Sequence, residues 1–129
     1  MKKFSGLAQE EYKTYWVEIN PYCRLRTIEI GSPDKPTIVF IHGFGASGLM
    51  YWRIFKPLAH LYHIYTIDLP GMGASTRVPF LPRTAAETQE FFTSYVEEWR
   101  IAVGNITDFY LIGHSFGGYI SGLYAHAYS

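Results

Sequence analysis

The alternation of apolar and polar residues divides the chain into strand-length and helix-length blocks. Tyr15 to Ile19 and Leu25 to Ile30 read as two short strands separated by Asn20-Pro21, a pair that favours a turn, so the first half predicts an antiparallel hairpin. Gly31-Ser32-Pro33-Asp34 is a second turn cluster. It leads into Thr37-Ile38-Val39-Phe40-Ile41, a continuous apolar run that suits a strand buried on both faces of a parallel sheet. Leu49 to Leu61 places Leu49, Trp52, Phe55, Leu58 and Ala59 at helical spacing, with Pro57 expected to kink or interrupt it. Ile64 to Leu69 returns to strand before Pro70-Gly71-Met72-Gly73. The spacing predicts a long helix from Thr84, opened by a Thr84/Glu87 capping box, carried by Phe91, Phe92, Tyr95, Val96, Trp99 and Val103, and stopped at Gly104-Asn105. Phe109 to Ile112 reads as one more buried-type strand, and Phe116 to Tyr128 as a last helix.

From Thr37 the order is therefore strand, helix, strand, helix, strand, helix. That alternation implies right-handed crossovers, hence an α/β fold with a mostly parallel sheet and flanking helices, preceded by the antiparallel hairpin. A chain of 129 residues has room for one domain and one core. Residues 1–14 are expected to be a solvated tail and 15–129 an incomplete domain, because the strand Phe109 to Ile112 should have further neighbours. An open apolar edge there invites another chain to complete the sheet.

Composition narrows the function classes. Apolar residues make up 48% and charged ones 17%, a globular profile, and 11 basic side chains balance 11 acidic ones, so no net field draws the chain to nucleic acid. One cysteine, Cys23, excludes an internal disulfide and a cysteine-cluster metal site and permits a reducing compartment. No histidine or acidic cluster suggests a metal, and no cofactor is expected. Met1 to Glu11 lacks the apolar run of a signal peptide. Phe109 to Ser129 contains no Asp, Glu, Lys or Arg and by length could span a bilayer, but it holds His114 and His126 and begins as a β-rich run followed by a turn.

Three motifs carry candidate chemistry. Gly113-His114-Ser115-Phe116-Gly117 is a Gly-x-Ser-x-Gly between a strand and a helix; such a sharp turn exposes the serine hydroxyl, and side chains at the flanking glycines would collide. The helix that follows aims amides and its positive end at the same place. His42-Gly43-Phe44-Gly45 directly follows an earlier strand, where acyl-transfer enzymes place a second oxyanion donor. Ser115 is accordingly the candidate nucleophile and the amides of Phe44 and Phe116 the candidate oxyanion hole. His42, Gly43, Gly45, Gly113, His114 and Gly117 support the two loops, His42 shaping its loop and not acting as base. Asp68 to Ser75 is a strand end with a glycine-rich turn; Asp68 precedes the serine, against the order expected of a triad acid.

A rival reading starts from the same glycines. Gly43-Phe44-Gly45-Ala46-Ser47-Gly48 also satisfies Gly-x-Gly-x-x-Gly, with Asp68 about 20 residues on, the fingerprint of a dinucleotide-binding oxidoreductase. It leaves the Ser115 turn unexplained. A third reading is a non-catalytic scaffold or pseudoenzyme subunit.

Taken together, His42 to Gly45, Asp68 to Ser75 and Gly113 to Gly118 resemble the α/β-hydrolase superfamily. With Trp52, Ser94-Tyr95-Val96-Glu97-Glu98-Trp99-Arg100 and Gly113 to Tyr119, the chain is similar to the N-terminal part of the abhydrolase-domain lipid hydrolases of the N-acyl-phosphatidylethanolamine lipase and lipase-coactivator type. That resemblance implies hydrolysis of a lipid ester or amide, phospholipid-like or lysophospholipid-like, through an acyl-enzyme. It also implies an intracellular location, cytoplasmic or peripheral to a membrane or lipid droplet. Some relatives carry Asn in place of the nucleophile, and here Ser115 is present. The triad acid and base would lie beyond Ser129, so the chain alone is expected to be nearly inert.

Overall fold

The computed structural model describes residues 5–129. Its core element is a five-stranded sheet in the order β1-β2-β4-β3-β5, made of β1 (Tyr12–Asn20), β2 (Cys23–Ile30), β3 (Thr37–Ile41), β4 (His63–Ile67) and β5 (Phe109–Gly113). β4, β3 and β5 run parallel, as the alternating blocks imply. The hairpin β1-β2 joins this unit through an antiparallel pairing of β2 with β4.

Among the described residues, three helices cover the sheet: α1 (Trp52–Ala59), α2 (Ala85–Ala102) and α3 (Phe116–Tyr128). Period-two alternation within the strands divides the core in two. On one face Val17, Leu25, Val39, Ile41, Tyr65 and Ile67 meet Phe92, Val96 and Trp99 of α2 and Ile120 and Tyr124 of α3. On the other, Ile28, Ile30, Ile38, Phe40 and Ile64 meet Phe55 of α1 and Leu7.

The capping box at α2 forms as its sequence requires: the Glu87 amide donates to Thr84 Oγ1 at 3.1 Å, and the Glu87 carboxylate accepts from the amides of Arg83 and Thr84. These backbone donors hold Glu87 below its ordinary pKa. The Glu97-Trp99-Arg100 stretch is structural. Arg100 makes a two-pronged contact with Glu97 and reaches the Ile106 carbonyl, while the Tyr124 hydroxyl donates to Glu97 at 2.6 Å, tying α2 to α3 and to the loop before β5. The hydrogen bonds from Arg100 outweigh the opposing effect of burial and keep Glu97 ionised to lower pH than usual.

Several boundaries differ from expectation. β1 begins at Tyr12 and not Tyr15, because it pairs with β2 as far as Ile30. The solvated tail does not extend over residues 5–14: Ser5 and Leu7 are buried, and Lys56 Nζ donates to the Gly6 carbonyl at 2.9 Å. Residues 1–4 of the expected tail lie outside the described residues. The block from Leu49 divides into a 3₁₀ turn, Gly48–Tyr51, and α1, which runs through Pro57 to Ala59. The charge-free stretch from Phe109 forms β5 and α3, and no helix among the described residues is long and apolar enough to cross a membrane. β5 stands at the sheet edge with Tyr110 and Ile112 exposed.

Trp99 is the largest fully buried side chain and donates its indole N–H to Thr27 Oγ1 at 2.9 Å, linking α2 to the middle of β2. Trp99→Ala is expected to cost about 3–5 kcal/mol, the range for emptying an aromatic core site. Urea denaturation measures it, and a loss under about 1 kcal/mol would mean the helix does not anchor the sheet.

Candidate functional site

The C-terminal ends of the parallel strands gather the motifs. β3 ends at Ile41 and releases His42 to Gly45, β4 ends at Ile67 and releases Asp68 to Ser75, and β5 ends at Gly113 and releases His114-Ser115 into α3. β3 and β5 pair in register with Ile41 opposite Gly113, so the first and third loops leave the sheet side by side. Crevices at such strand ends are where open α/β sheets bind ligands.

Ser115 has φ 55° and ψ −120°, a backbone conformation that non-glycine residues rarely adopt. Holding it costs on the order of 1–3 kcal/mol, which the surroundings must supply. They do so by close packing of backbone on backbone. A Cβ on Gly113 would run into the carbonyl of Gly117, and one on Gly117 would run into the carbonyl of Ile41, so these glycines let the first turn of α3 press against the ends of β5 and β3. The His114 amide donates to Ile41 O at 3.2 Å and the Gly117 amide to His114 O at 2.9 Å, closing the bend. Ser115 is left exposed at the positive end of α3. The Ser115 Cβ lies 3.4 Å from the place a Gly43 Cβ would take, so the two loops touch. Phe44, 81% exposed, packs edge-on against Phe116 with ring centroids 6.2 Å apart.

His42 is fully buried, and its hydrogen bonds assign its tautomer. The Leu69 amide donates to Nε2 at 2.9 Å, so that nitrogen carries a lone pair; Nδ1 therefore holds the proton and donates to Gly43 O at 2.7 Å. Burial holds the imidazole below its ordinary pKa. A ring committed at both nitrogens braces one loop against another and is no proton acceptor for Ser115.

Asp68 performs the matching role. Its Oδ1 accepts from the Gly48 amide at 2.7 Å, and its Oδ2 accepts from the Ala74 amide at 2.8 Å and faces Arg26 at 3.4 Å. Ser75 Oγ donates to the Asp68 carbonyl at 2.6 Å and accepts from the Arg26 amide. The carboxylate thus joins the loop after β3 to the loop after β4. This disposes of the dinucleotide reading: Asp68 is 1% exposed with its oxygens engaged, and Gly48 opens a 3₁₀ turn instead of presenting free amides at a helix start. His63 sits at the other end of β4, bonded to Glu29 and away from these loops.

Sequence reasoning missed Tyr51. Its hydroxyl donates to Ile41 O at 2.7 Å, the carbonyl from which the Ser115 turn also hangs, and burial pushes its pKa up to about 12. Its place in the block from Leu49 gave no signal of this, because the contact depends on the 3₁₀ turn.

Strand-end loops, a strained serine between strand and helix and a glycine loop against it define the α/β-hydrolase class. The family described as alpha/beta hydrolase fold matches residues 36–129, and this chain belongs to it. Among curated relatives, it is 44% identical over 90 residues to a 1-acylglycerol-3-phosphate O-acyltransferase of Arabidopsis thaliana, covering 70% of this chain and 21% of that protein. It is 36% identical over 96 residues to the human 1-acylglycerol-3-phosphate O-acyltransferase ABHD5, covering 74% of this chain and 27% of the relative. The chain thus spans about a quarter of the length of these relatives. A solved structure of a membrane phospholipase A, a bacterial virulence factor, superposes with a TM-score of 0.81 at 30% identity over 92% of this chain and 36% of its own.

The buried neutral state of His42 sets a pH dependence. Its folded pKa lies below the unfolded value near 6.5, so the unfolded chain takes up the proton first as pH falls. The stability His42 contributes is complete above about pH 6.5 and drains away as pH drops from there through the folded pKa, at up to ~1.4 kcal/mol per unit. Urea midpoints between pH 7.5 and 5 should fall for the wild type and fall less steeply for His42→Gln; equal slopes would show that the imidazole is not held neutral.

Proposed function

We propose that this chain carries the nucleophile and oxyanion-hole half of a serine hydrolase that acts on a lipid ester or amide. The observation that carries the reading is the backbone of Ser115, strained at φ 55° and set against Gly43 at the mouth of the sheet. Strain of this kind clusters at active sites because it fixes a reacting atom in place.

In this reading Ser115 Oγ attacks the acyl carbonyl carbon. The carbonyl electron pair moves onto oxygen, and the amides of Phe44 and Phe116 donate to the resulting oxyanion. Phe116 is the first residue of α3, and the first amides of a helix have no acceptor within it. The serine proton goes to an imidazole supplied with its orienting acid by chain that follows α3, since His42 is engaged at both nitrogens. Collapse of the tetrahedral intermediate expels the alcohol or amine, which takes that proton, and leaves the acyl group on Ser115.

Lipid is favoured as the acyl source by the phospholipase and by the 1-acylglycerol-3-phosphate O-acyltransferases to which the chain is similar. The names of those acyltransferases add a second acceptor: a glycerol hydroxyl in place of water would resolve the acyl-enzyme by transfer instead of hydrolysis.

A fluorophosphonate probe should label the full-length protein at Ser115. Ser115→Ala should abolish the label and lower turnover of a phospholipid by a factor on the order of 10⁶, as loss of a serine nucleophile does in a serine protease. Persistent labelling of the alanine variant would overturn the assignment. Free fatty acid as product indicates hydrolysis, and diacyl product with monoacylglycerol phosphate present indicates transfer.

A further inference from the structure

Between β4 and α2 the chain reads Arg77-Val78-Pro79-Phe80-Leu81-Pro82-Arg83, five apolar residues bracketed by two arginines. Phe80 is 54% exposed and Leu81 78% exposed, an adjacent aromatic-aliphatic pair that folding leaves in water. Burial of such side chains is worth a kcal/mol or more each, so their joint exposure is a standing cost unless something covers them.

We propose that residues 78–82 form a lipid-docking loop, which inserts Phe80 and Leu81 into a lipid surface beside the Ser115 turn. Three observations favour lipid as the occupant. Pro79 and Pro82 have no amide hydrogen, so residues 78–82 offer only the Val78, Phe80 and Leu81 amides, which lowers the cost of entering an apolar medium and breaks up any ladder for a partner strand. Arg77 and Arg83 stand at the two ends of the apolar run, where long cationic side chains can meet lipid phosphates. Arg77 is held there by donating to the carbonyls of Gly73 and Ser75 at 2.7 and 2.8 Å. Of the nearby carboxylates, Glu87 is engaged by the amides of Arg83 and Thr84, and Glu90 lines the same cleft as Leu81, Pro82 and Arg83.

The third observation is continuity with the candidate site. Phe80 packs edge-on against Phe91 at 5.2 Å and lies tilted against Phe92 at 6.1 Å; Phe92 meets Phe116 at 5.0 Å, and Phe116 meets the exposed Phe44. Linked rings thus brace the loop and run from it to the serine turn. This inference goes beyond the serine chemistry and does not depend on it.

Flotation of the full chain with phosphatidylcholine vesicles tests the proposal. The wild type and Ser115→Ala should bind alike, whatever the fate of the serine reading, and Phe80→Ala/Leu81→Ala should bind at least about tenfold more weakly. Because Phe80 is partly packed, Leu81→Asp serves as a second variant at a position open to solvent, and it should lose binding with an unchanged melting curve. Equal binding by wild type and Leu81→Asp would overturn the proposal. So would absence of wild-type binding, whether the loop then proves to be covered by another part of the protein or by a second copy.

Discussion

The structure depends on the approach of two backbones where α3 meets the end of β3. No side chain can stand at Gly117, because its Cβ would occupy the space of the Ile41 carbonyl. That vacancy draws the start of α3 onto the sheet, forces Ser115 into its unusual φ and ψ, and brings its side chain against Gly43. The strain at one residue is offset by the burial that the rest of α3 achieves through Ile120 and Tyr124 against β3 and α2. A fold that packed less tightly here would relax the turn and lose the alignment.

A buried polar layer holds the loops around this contact. Asp68, His42, Ser75 and Tyr51 use their side chains almost wholly on backbone groups of neighbouring loops. Each bond is of ordinary strength, about 1 kcal/mol net, but leaving one partner unpaired in a dry interior costs more than the bond itself contributes. The loops after β3 and β4 are therefore coupled, and the Ile41 carbonyl, which accepts from both Tyr51 and the His114 amide, ties them to the turn after β5. Such preorganisation is what an oxyanion site requires, since donors must already stand in place when charge develops.

Much of this was legible in the residue order. Continuous apolar runs marked β3 and β4, the Thr84/Glu87 pair marked the start of α2, and the glycines around Ser115 marked the turn between strand and helix. What escaped depends on contacts distant in sequence. The extension of β1 to Tyr12 follows from pairing with β2, and the burial of Leu7 from a pocket that α1 completes. The job of Asp68 was hidden because a carboxylate before a glycine turn has the same local pattern whether it meets a ribose or the Gly48 amide. Tyr51 looked like one more residue near a helix, and its value rests on where the 3₁₀ turn aims its hydroxyl. Local periodicity encodes elements well, while the loops that build a site are specified by which backbone groups their side chains reach.

A crystal structure of the full-length protein with a phosphonate covalently attached is the most direct measurement of the central claim. The account requires phosphorus on Ser115 Oγ and the phosphonyl oxygen within about 3 Å of both the Phe44 and Phe116 amides. A phosphonate on another residue, or an oxygen turned to solvent with those amides bonded elsewhere, would contradict it.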